Sequence, residues 1–192
     1  AEYDTLDVSN NQFLDNDNYG VFAYANTVLN LNNCLFSNNG NHGLYANFAG
    51  ELQINNCQFN NNNGYAALIL NQVSITQPTG NSGTGNTINA FGMGGTINQN
   101  FQLSQAVCGF PFVLAGTVLL NENFTMTIPA GEIIKASGGA LYINGTLNAI
   151  GTNSQNIVFT SLKDDSYGGD WNGDGNATTP AKGYWNLIRM NG

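Results

Sequence analysis

The first third of the chain repeats one pattern of apolar and polar positions every 23 residues. Phenylalanine recurs at Phe13, Phe36 and Phe59, and aliphatic residues recur two positions apart ahead of each one, as at Leu29 and Leu31. Alternation with a period of two predicts β-strands, because successive side chains of a strand point to opposite faces. A fixed period of this length predicts a solenoid in which each repeat forms one coil.

Stacked coils place equivalent residues above one another, so the repeat also predicts the columns that face the core. Besides the phenylalanines, we expect two inward columns: Val21, Leu44 and Ala67, and then Ala23, Ala46 and Ile69. Two asparagine columns are expected at the turns: Asn10, Asn33 and Asn56, and then Asn16, Asn39 and Asn62. Asparagine suits a sharp turn because it tolerates left-handed backbone, and its amide can bond to the next amide in the column.

Composition agrees with an ordered, turn-rich fold. Hydrophobic residues make up 42% of the 192 residues and charged residues 8%, which does not fit a disordered polar tract. We therefore predict an all-β protein, a parallel β-helix (β-solenoid) of about eight coils of 21–23 residues. Cys34 and Cys57 occupy the same place in consecutive coils, so we expect stacked, buried thiols that point the same way.

The repeat pattern changes after residue 72. Residues 77–95 are rich in Gly, Thr and Asn, which predicts a loop or a joint between modules. Apolar alternation then returns without the asparagine columns. We predict two sub-modules in one continuous rod: residues 1–95, which end in the Gly-rich loop, and residues 96–192, which contain an acidic loop at 164–182.

The charge of the chain argues against several classes of partner. The formal net charge is −8, and the basic residues are Lys135, Lys163, Lys182 and Arg189. Few cations are therefore present to neutralise a phosphate backbone, and we expect no nucleic-acid binding. No stretch approaches the roughly eighteen consecutive apolar residues of a membrane span, so we expect no membrane insertion.

The acidic loop carries the pattern with the most definite chemistry. Asp170, Asn172 and Asp174 alternate and Gly175 follows, a spacing that directs oxygen ligands towards one Ca²⁺ ion. The predicted metal ligands are Asp164, Asp165, Asp170, Asn172, Asp174 and the backbone of Asn176. Against a complete EF-hand loop, the twelfth position is Ala181 rather than Glu. The alternative is an acidic, solvated loop whose Gly and Asn serve only as turn residues.

Candidates for catalysis are few. A polysaccharide lyase needs a basic residue beside a carboxylate-bound cation, and no Lys or Arg occurs from Ala1 to Gln99. A glycoside hydrolase needs two carboxylates across the scissile bond, whereas Asp15 and Asp17 share a turn and are expected to be surface charges. The sole histidine, His42, is expected to be an exposed turn residue. We therefore predict no catalytic residue and no enzymatic activity.

Aromatic residues leave contact with glycans open. The candidates for stacking on sugar rings are Tyr19, Tyr24, Tyr45, Tyr65, Trp171, Tyr184 and Trp185. Phe22 and Tyr45 lie between inward positions of adjacent coils, so we expect both rings to point outward and to stack on each other. Such a ladder would either contact sugars or simply shield the sheet.

Particular stretches carry a resemblance to known β-helix families. In the first half these are Asn33, Phe36, Asn38, Asn39 and Gly43, whose pattern resembles the pectate-lyase-like parallel β-helix repeat. In the second half they are Ile-Pro-Ala-Gly-Glu-Ile-Ile-Lys from Ile128, Gly-Ala-Leu-Tyr-Ile-Asn-Gly-Thr from Gly139, Asn-Ile-Val-Phe-Thr-Ser from Asn156 and Asp-Asp-Ser-Tyr-Gly-Gly-Asp from Asp164. These stretches resemble the opening coils of right-handed β-helix modules in large secreted bacterial surface proteins, over residues 118–188.

The resemblance implies a right-handed β-helix in a non-catalytic structural or adhesive segment of a large extracellular protein at the bacterial cell surface. Expected partners are neighbouring β-helix modules of the same polypeptide or filament, with extracellular glycans as a further candidate. The alternative is a carbohydrate-active module that binds a polysaccharide or cleaves it as a lyase or glycoside hydrolase.

Overall fold

The computed structural model describes residues 4–24, 27–47, 50–71 and 73–191. About 48% of the chain is strand and 2% is helix, and the strands wind into a parallel β-solenoid of about seven turns. The predicted fold class is confirmed. The solenoid has about seven coils where the sequence predicts eight, because residues 162–187 of the last coil form an excursion without strand structure.

Each of the first three coils contributes three short strands: β1 (Asp4–Ser9), β2 (Gln12–Leu14) and β3 (Val21–Ala23), then β4 (Thr27–Asn32), β5 (Leu35–Ser37) and β6 (Leu44–Asn47), then β7 (Gly50–Asn55), β8 (Gln58–Asn60) and β9 (Tyr65–Leu70). The next two coils contain β10 (Val73–Ile75) and β11 (Ile88–Ile97), then β12 (Phe101–Gln102), helix α1 (Gln105–Cys108) and β13 (Phe112–Leu120). The last two contain β14 (Thr125–Ile128), β15 (Ile133–Ala136) and β16 (Ala140–Ile143), then β17 (Thr146–Ala149), β18 (Val158–Ser161) and β19 (Ile188–Met190). In the described part of the chain, no helix is long and apolar enough to cross a membrane.

Parallel pairing between successive coils forms the sheets of the solenoid. Sheet A has the order β1-β4-β7-β10, sheet B the order β2-β5-β8, and sheet D the order β12-β14-β17. Sheet C is the largest, with the order β3-β6-β9-β11-β13-β15-β18, and β16 and β19 extend from the second half of β13. The predicted inward columns pair in the predicted register, as Val21 does with Leu44 and Leu44 with Ala67.

Stacked phenylalanines fill the centre of the first coils. The ring centroids of Phe13 and Phe36 are 5.0 Å apart and those of Phe36 and Phe59 are 4.7 Å apart, with nearly parallel planes. The predicted ladder is confirmed. It ends where Phe59 meets the edge of Phe91 at 5.5 Å, and a second stacked pair, Phe91 and Phe110, continues the core at 5.0 Å.

A column of asparagines, buried from Asn39 onwards, runs beside the phenylalanines. The Nδ2 group of Asn16 donates to Oδ1 of Asn39, that of Asn39 to Asn62, and that of Asn62 to Asn86, each at 2.7 Å. Each amide from Asn39 onwards also donates to a phenylalanine carbonyl, as Asn62 does to Phe36 O at 3.2 Å. The amide ladder is confirmed, and it extends one coil further than the 23-residue repeat predicts, because Asn86 follows after 24 residues.

Left-handed backbone occurs in only one of the two asparagine columns that the sequence predicts at turns. Asn10, Asn33 and Asn56 have φ angles of 54–60°. The second left-handed column consists instead of Asp15, Asn38 and Asn61, with φ of 55–56°. These residues lie one position before the amide ladder, so one residue makes the turn and the next buries its amide.

The Gly-rich segment differs from the predicted loop. Thr79 and Ser82 still bridge to the third coil, and Ile88–Ile97 forms strand β11. Gly95 has a φ of +94°, and a Cβ atom there would lie 1.7 Å from Asn71 O, so this bend requires glycine. The bend coincides with a register shift against β13. The predicted boundary at residue 95 falls within this strand, and the division into sub-modules stays a prediction.

The three cysteines are buried, free thiols. Sγ of Cys34 lies 3.4 Å from Asn32 O and Sγ of Cys57 lies 3.3 Å from Asn55 O. Burial raises the pKa of Cys57 to about 11, so the thiol stays protonated at neutral pH. The expectation of buried thiols in an interior column is confirmed.

The asparagine ladder generates a stability prediction. Asn62→Ala removes the acceptor of two buried donors, the backbone N–H and the side-chain amide of Asn39, and it removes the side-chain donor to the buried Phe36 carbonyl. We expect the free energy of unfolding to fall by at least about 3 kcal/mol, measured by urea denaturation. The control is Asn63→Ala, which truncates the exposed neighbour and should change the stability little. Equal losses in the two variants would contradict a special role for the ladder.

Candidate functional site

The excursion between β18 and β19, here called the strap (residues 162–187), lies across the outer face of sheet C. Trp171 packs there against a cluster that includes Ala90 and Val113. Its carbonyl accepts a hydrogen bond from Asn89 N at 3.2 Å, and its Nε1 donates to Gly168 O at 2.8 Å. The strap therefore reaches back from the last coil to β11 in the fourth.

Lys135 holds the strap from beneath. Its neighbours in β15, Ile134 and Ala136, belong to the core, so strand alternation turns Lys135 to the outer face, where its side chain is 0% exposed. Nζ donates to Asp164 O at 2.8 Å and to Gly169 O at 2.7 Å. The strap thus supplies the oxygen atoms that replace water around this ammonium group.

The environment of Lys135 offsets part of the cost of burying a charge. Burial lowers the pKa of Lys135, and the carboxylates of Asp165, Asp164 and Asp170 oppose that shift. Nζ also lies 4.5 Å from the ring centroid of Trp171, a cation–π contact that is strongest away from water. Lys135 was not among the predicted site residues, although a single lysine within the otherwise apolar strand Ile133–Ala136 was a visible signal.

Three carboxylates of the acidic loop converge. Oxygen atoms of Asp165, Asp170 and Asp174 all lie within 4.8 Å of one another. Asp170 also accepts hydrogen bonds from the backbone N–H groups of Asp174 at 3.2 Å and Gly175 at 2.8 Å. These bonds tighten the loop and fix the Asp170 carboxylate beside the other two.

Asp174 is the most heavily bonded member of this acidic cluster. It accepts hydrogen bonds from the Thr178 hydroxyl, from Asn172 Nδ2 at 2.7 Å, and from the backbone N–H of Ala177 at 3.1 Å. The Thr178 hydroxyl is the main cause that lowers the pKa of Asp174. Asp174 is therefore a stable anion at neutral pH.

Two oxygen atoms beside the cluster are buried without a hydrogen-bond partner: Oδ1 of Asp165 and Oδ1 of Asn172. Buried polar atoms are nearly always paired, so an orphaned carboxylate oxygen next to two further carboxylates is energetically costly. Asn172 Nδ2 is held by Asp174, which leaves its Oδ1 as a neutral oxygen ligand. Both atoms are of the type that a hard cation binds.

The other two predicted ligands have different environments. Asp164 accepts hydrogen bonds from the hydroxyls of Ser166 and Thr160, each at 2.5 Å, and these bonds lower its pKa. Asp164 is not one of the three carboxylates that converge. The backbone of Asn176 donates its N–H to Asp174 Oδ1 at 3.2 Å. The predicted calcium ligand set stays a prediction, and the structure brings together its Asp165, Asp170 and Asp174.

Two known families of β-helix proteins match successive parts of the chain. A family described as a right-handed β-helix region matches residues 2–88, and a family described as a pectate-lyase-like β-helix domain matches residues 95–180. The chain is a right-handed β-helix. No significant match was found among curated proteins or among solved structures.

The histidine of this β-helix is not the exposed turn residue that the sequence predicts. His42 is half-buried, because its ring stacks on Tyr19 with centroids 5.6 Å apart and meets the edge of Tyr65 at 5.7 Å. Its Nδ1 accepts a hydrogen bond from Tyr65 N at 3.0 Å. Burial lowers the pKa of His42 to about 4, so the imidazole is neutral at pH 7 and supports the next coil.

The two hydrogen bonds from Lys135 to the strap generate a stability prediction for this β-helix. Lys135→Met removes the ammonium group and leaves the carbonyls of Asp164 and Gly169 without a donor. We expect the free energy of unfolding to fall by about 2 kcal/mol, and limited proteolysis to cleave within residues 162–187 before the coils. The control is Lys182→Met, an exposed lysine of the same segment. Equal protease resistance of the wild type and Lys135→Met would show that the strap is held by other contacts.

Proposed function

We propose that this β-helix is a non-catalytic structural and adhesive segment of a large extracellular protein at the bacterial surface, with its strap stabilised by Ca²⁺. The observation that carries the proposal is that the side chains with acid–base chemistry near the strap already form bonds that hold it in place. Lys135 is fully buried beneath it, and Asp170 and Asp174 bond to the loop itself. Lys135 is therefore shielded from a bound polymer, and Asp170 and Asp174 are oriented by the loop rather than towards a groove.

The remaining titratable candidates support the same conclusion. His42 is neutral and accepts a backbone hydrogen bond, so it acts in packing. Asp15 and Asp17 are both exposed on one turn of the first coil. Paired catalytic carboxylates of a hydrolase face each other across a substrate, which side chains on one exposed turn do not.

The unpaired strand edges of the described residues support the proposed partners. Leu6 is 54% exposed in the first coil, whereas its equivalent in the second coil, Leu29, is 3% exposed. Among the residues that the structure describes, β1 and β17 each pair on one side only, and such strand edges can pair with another strand. We therefore propose neighbouring β-helix modules of the same polypeptide or filament as the partners of these surfaces.

The acidic cluster supports the calcium part of the proposal. Three carboxylates within 4.8 Å repel one another, and the buried Oδ1 of Asp165 lacks a partner. A hard divalent cation relieves both costs, and Asn172 Oδ1 offers it a neutral oxygen. Asp165, Asp170, Asp174 and Asn172 are the proposed ligands.

This proposal predicts that calcium raises the melting temperature, by about 5–10 °C at saturating concentration. Asp165→Asn keeps the size of the side chain but removes a charge, so it should abolish most of that increase. In chelator, the same variant relieves repulsion within the cluster but loses the attraction of Asp165 to the buried Lys135, so its melting temperature should differ less from the wild type than it does with calcium. Circular dichroism at two or three calcium concentrations measures both effects.

The control for the calcium experiment is Asp17→Asn, which makes the same charge change on the exposed turn of the first coil. It should keep the full response to calcium. A wild-type melting curve that calcium does not shift, or an Asp165→Asn variant that responds like the wild type, would remove the metal from the proposal.

One observation favours the alternative, a carbohydrate-active module. A groove of about 310 Å³ runs along the corner between sheets A and B, and amide side chains line it, among them Asn10, Gln12, Asn33 and Gln58. Amides can bond to sugar hydroxyls. The groove lining contains no carboxylate, lysine, arginine or histidine, so it supports binding better than cleavage.

An activity assay tests the non-catalytic proposal. The chain is incubated with polygalacturonate and with neutral polysaccharides, with and without calcium. We expect no new unsaturated ends by ultraviolet absorbance and no new reducing ends by a colorimetric assay. Either product, if lost in Lys135→Met or Asp165→Asn, would establish a carbohydrate-active enzyme instead.

A further inference from the structure

The outer face of sheet C is covered by the strap over the later coils and open over the first two. On this open part lie five rings, here called the aromatic platform: Tyr19, Phe22, Tyr24, His42 and Tyr45. The ring centroids of Tyr19 and Tyr45 are 5.2 Å apart, those of Phe22 and Tyr45 are 5.3 Å apart, and those of Phe22 and Tyr24 are 5.8 Å apart. The predicted outward stacking of Phe22 on Tyr45 is confirmed.

The aromatic platform combines exposure with rigidity. Phe22 is 52% exposed and Tyr24 is 72% exposed, so large ring areas meet water. Phe22 stacks on Tyr45 with an angle of 19° between planes, and Asn47 Nδ2 donates to the Tyr45 hydroxyl at 2.9 Å. A ligand on this surface therefore pays little entropy for ordering side chains.

The platform is continuous with the face that the strap covers. Phe22 pairs with Tyr45 and Tyr45 with Leu68, and Leu68 already packs against the cluster that contains Trp171. In the later coils, the planar ring that covers this face is therefore Trp171 of the strap. An uncovered stretch of the same face is suited to another planar, partly apolar ring.

We infer that the aromatic platform binds a neutral extracellular polysaccharide, through stacking of pyranose rings on Phe22 and Tyr24. This inference rests on the adhesive part of the proposed function and assigns its ligand. A pyranose ring offers a C–H face to an aromatic ring and hydroxyls to the polar groups around it. Here the phenol hydroxyls of Tyr19 and Tyr45 and the amide of Asn47 supply such groups.

The negative charge of the chain favours a neutral polysaccharide over an acidic one. Lys135 is the first basic residue of the chain, so neither Lys nor Arg accompanies the platform in sequence, and the formal net charge is −8. An acidic polysaccharide or an anionic membrane would be repelled.

Pull-down with insoluble cellulose and curdlan and affinity electrophoresis in soluble xylan test the inference, with polygalacturonate as the acidic comparison. We expect retention by at least one neutral polymer, and a loss of affinity of about tenfold or more in the double variant Phe22→Ala and Tyr24→Ala. Both side chains are largely exposed, so folding should survive, and circular dichroism checks this.

Two matched variants locate the site. Tyr167→Ala removes a tyrosine of the strap that is 48% exposed, and Gln58→Ala alters the amide groove, so both should bind like the wild type. Retention by no neutral polymer, retention by polygalacturonate alone, or unchanged binding of the double variant would overturn the inference. These outcomes leave the non-catalytic proposal intact, because that proposal fails only if cleaved polysaccharide ends appear.

Discussion

Parallel stacking in register is the constraint on which the rest of the structure depends. Each residue of one coil lies beside its equivalent in the next, so a repeated charge would face its own kind along the rod. Asparagine avoids this conflict because its amide both donates and accepts, and the column from Asn16 to Asn86 therefore bonds to itself. The low content of charged residues, 8%, follows from the same constraint.

The strap shows how a charge is accommodated once the repeat has ended. Lys135 stands between Val113 and Thr160 in sheet C, so its column contains no second ammonium. Its own strand neighbours cannot solvate it, and the carbonyls of Asp164 and Gly169 do so instead. Together with Trp171, this buried cation holds in place a segment that lacks strand pairing of its own.

Periodicity explains what could be predicted from the sequence. Contacts that recur in every coil left a repeated trace, so the phenylalanine ladder, the amide ladder and the stacking of Phe22 on Tyr45 were predictable. Contacts that occur in only one coil left no repeated trace in the sequence. The insertion of one residue before Asn86 hid the fourth member of the amide column, and nothing periodic linked Lys135 to the strap.

The geometry of the acidic loop depends both on a pattern that is visible in the sequence and on contacts that occur only once in the fold. The alternation within Asp170 to Asp174 predicted that their side-chain oxygens converge. Which carboxylates actually meet depends on the path of the strap. Lys135 contributes to that path because it binds the carbonyls of Asp164 and Gly169, on either side of Asp165 in the sequence. Three carboxylates converge, and the Asp164 carboxylate and the Lys135 ammonium lie beside them, so carboxylates outnumber cations around the loop. A divalent cation would offset more of this negative charge than a monovalent ion and would give the buried Asp165 oxygen a partner. The buried lysine therefore contributes both to the geometry of the proposed site and to its charge.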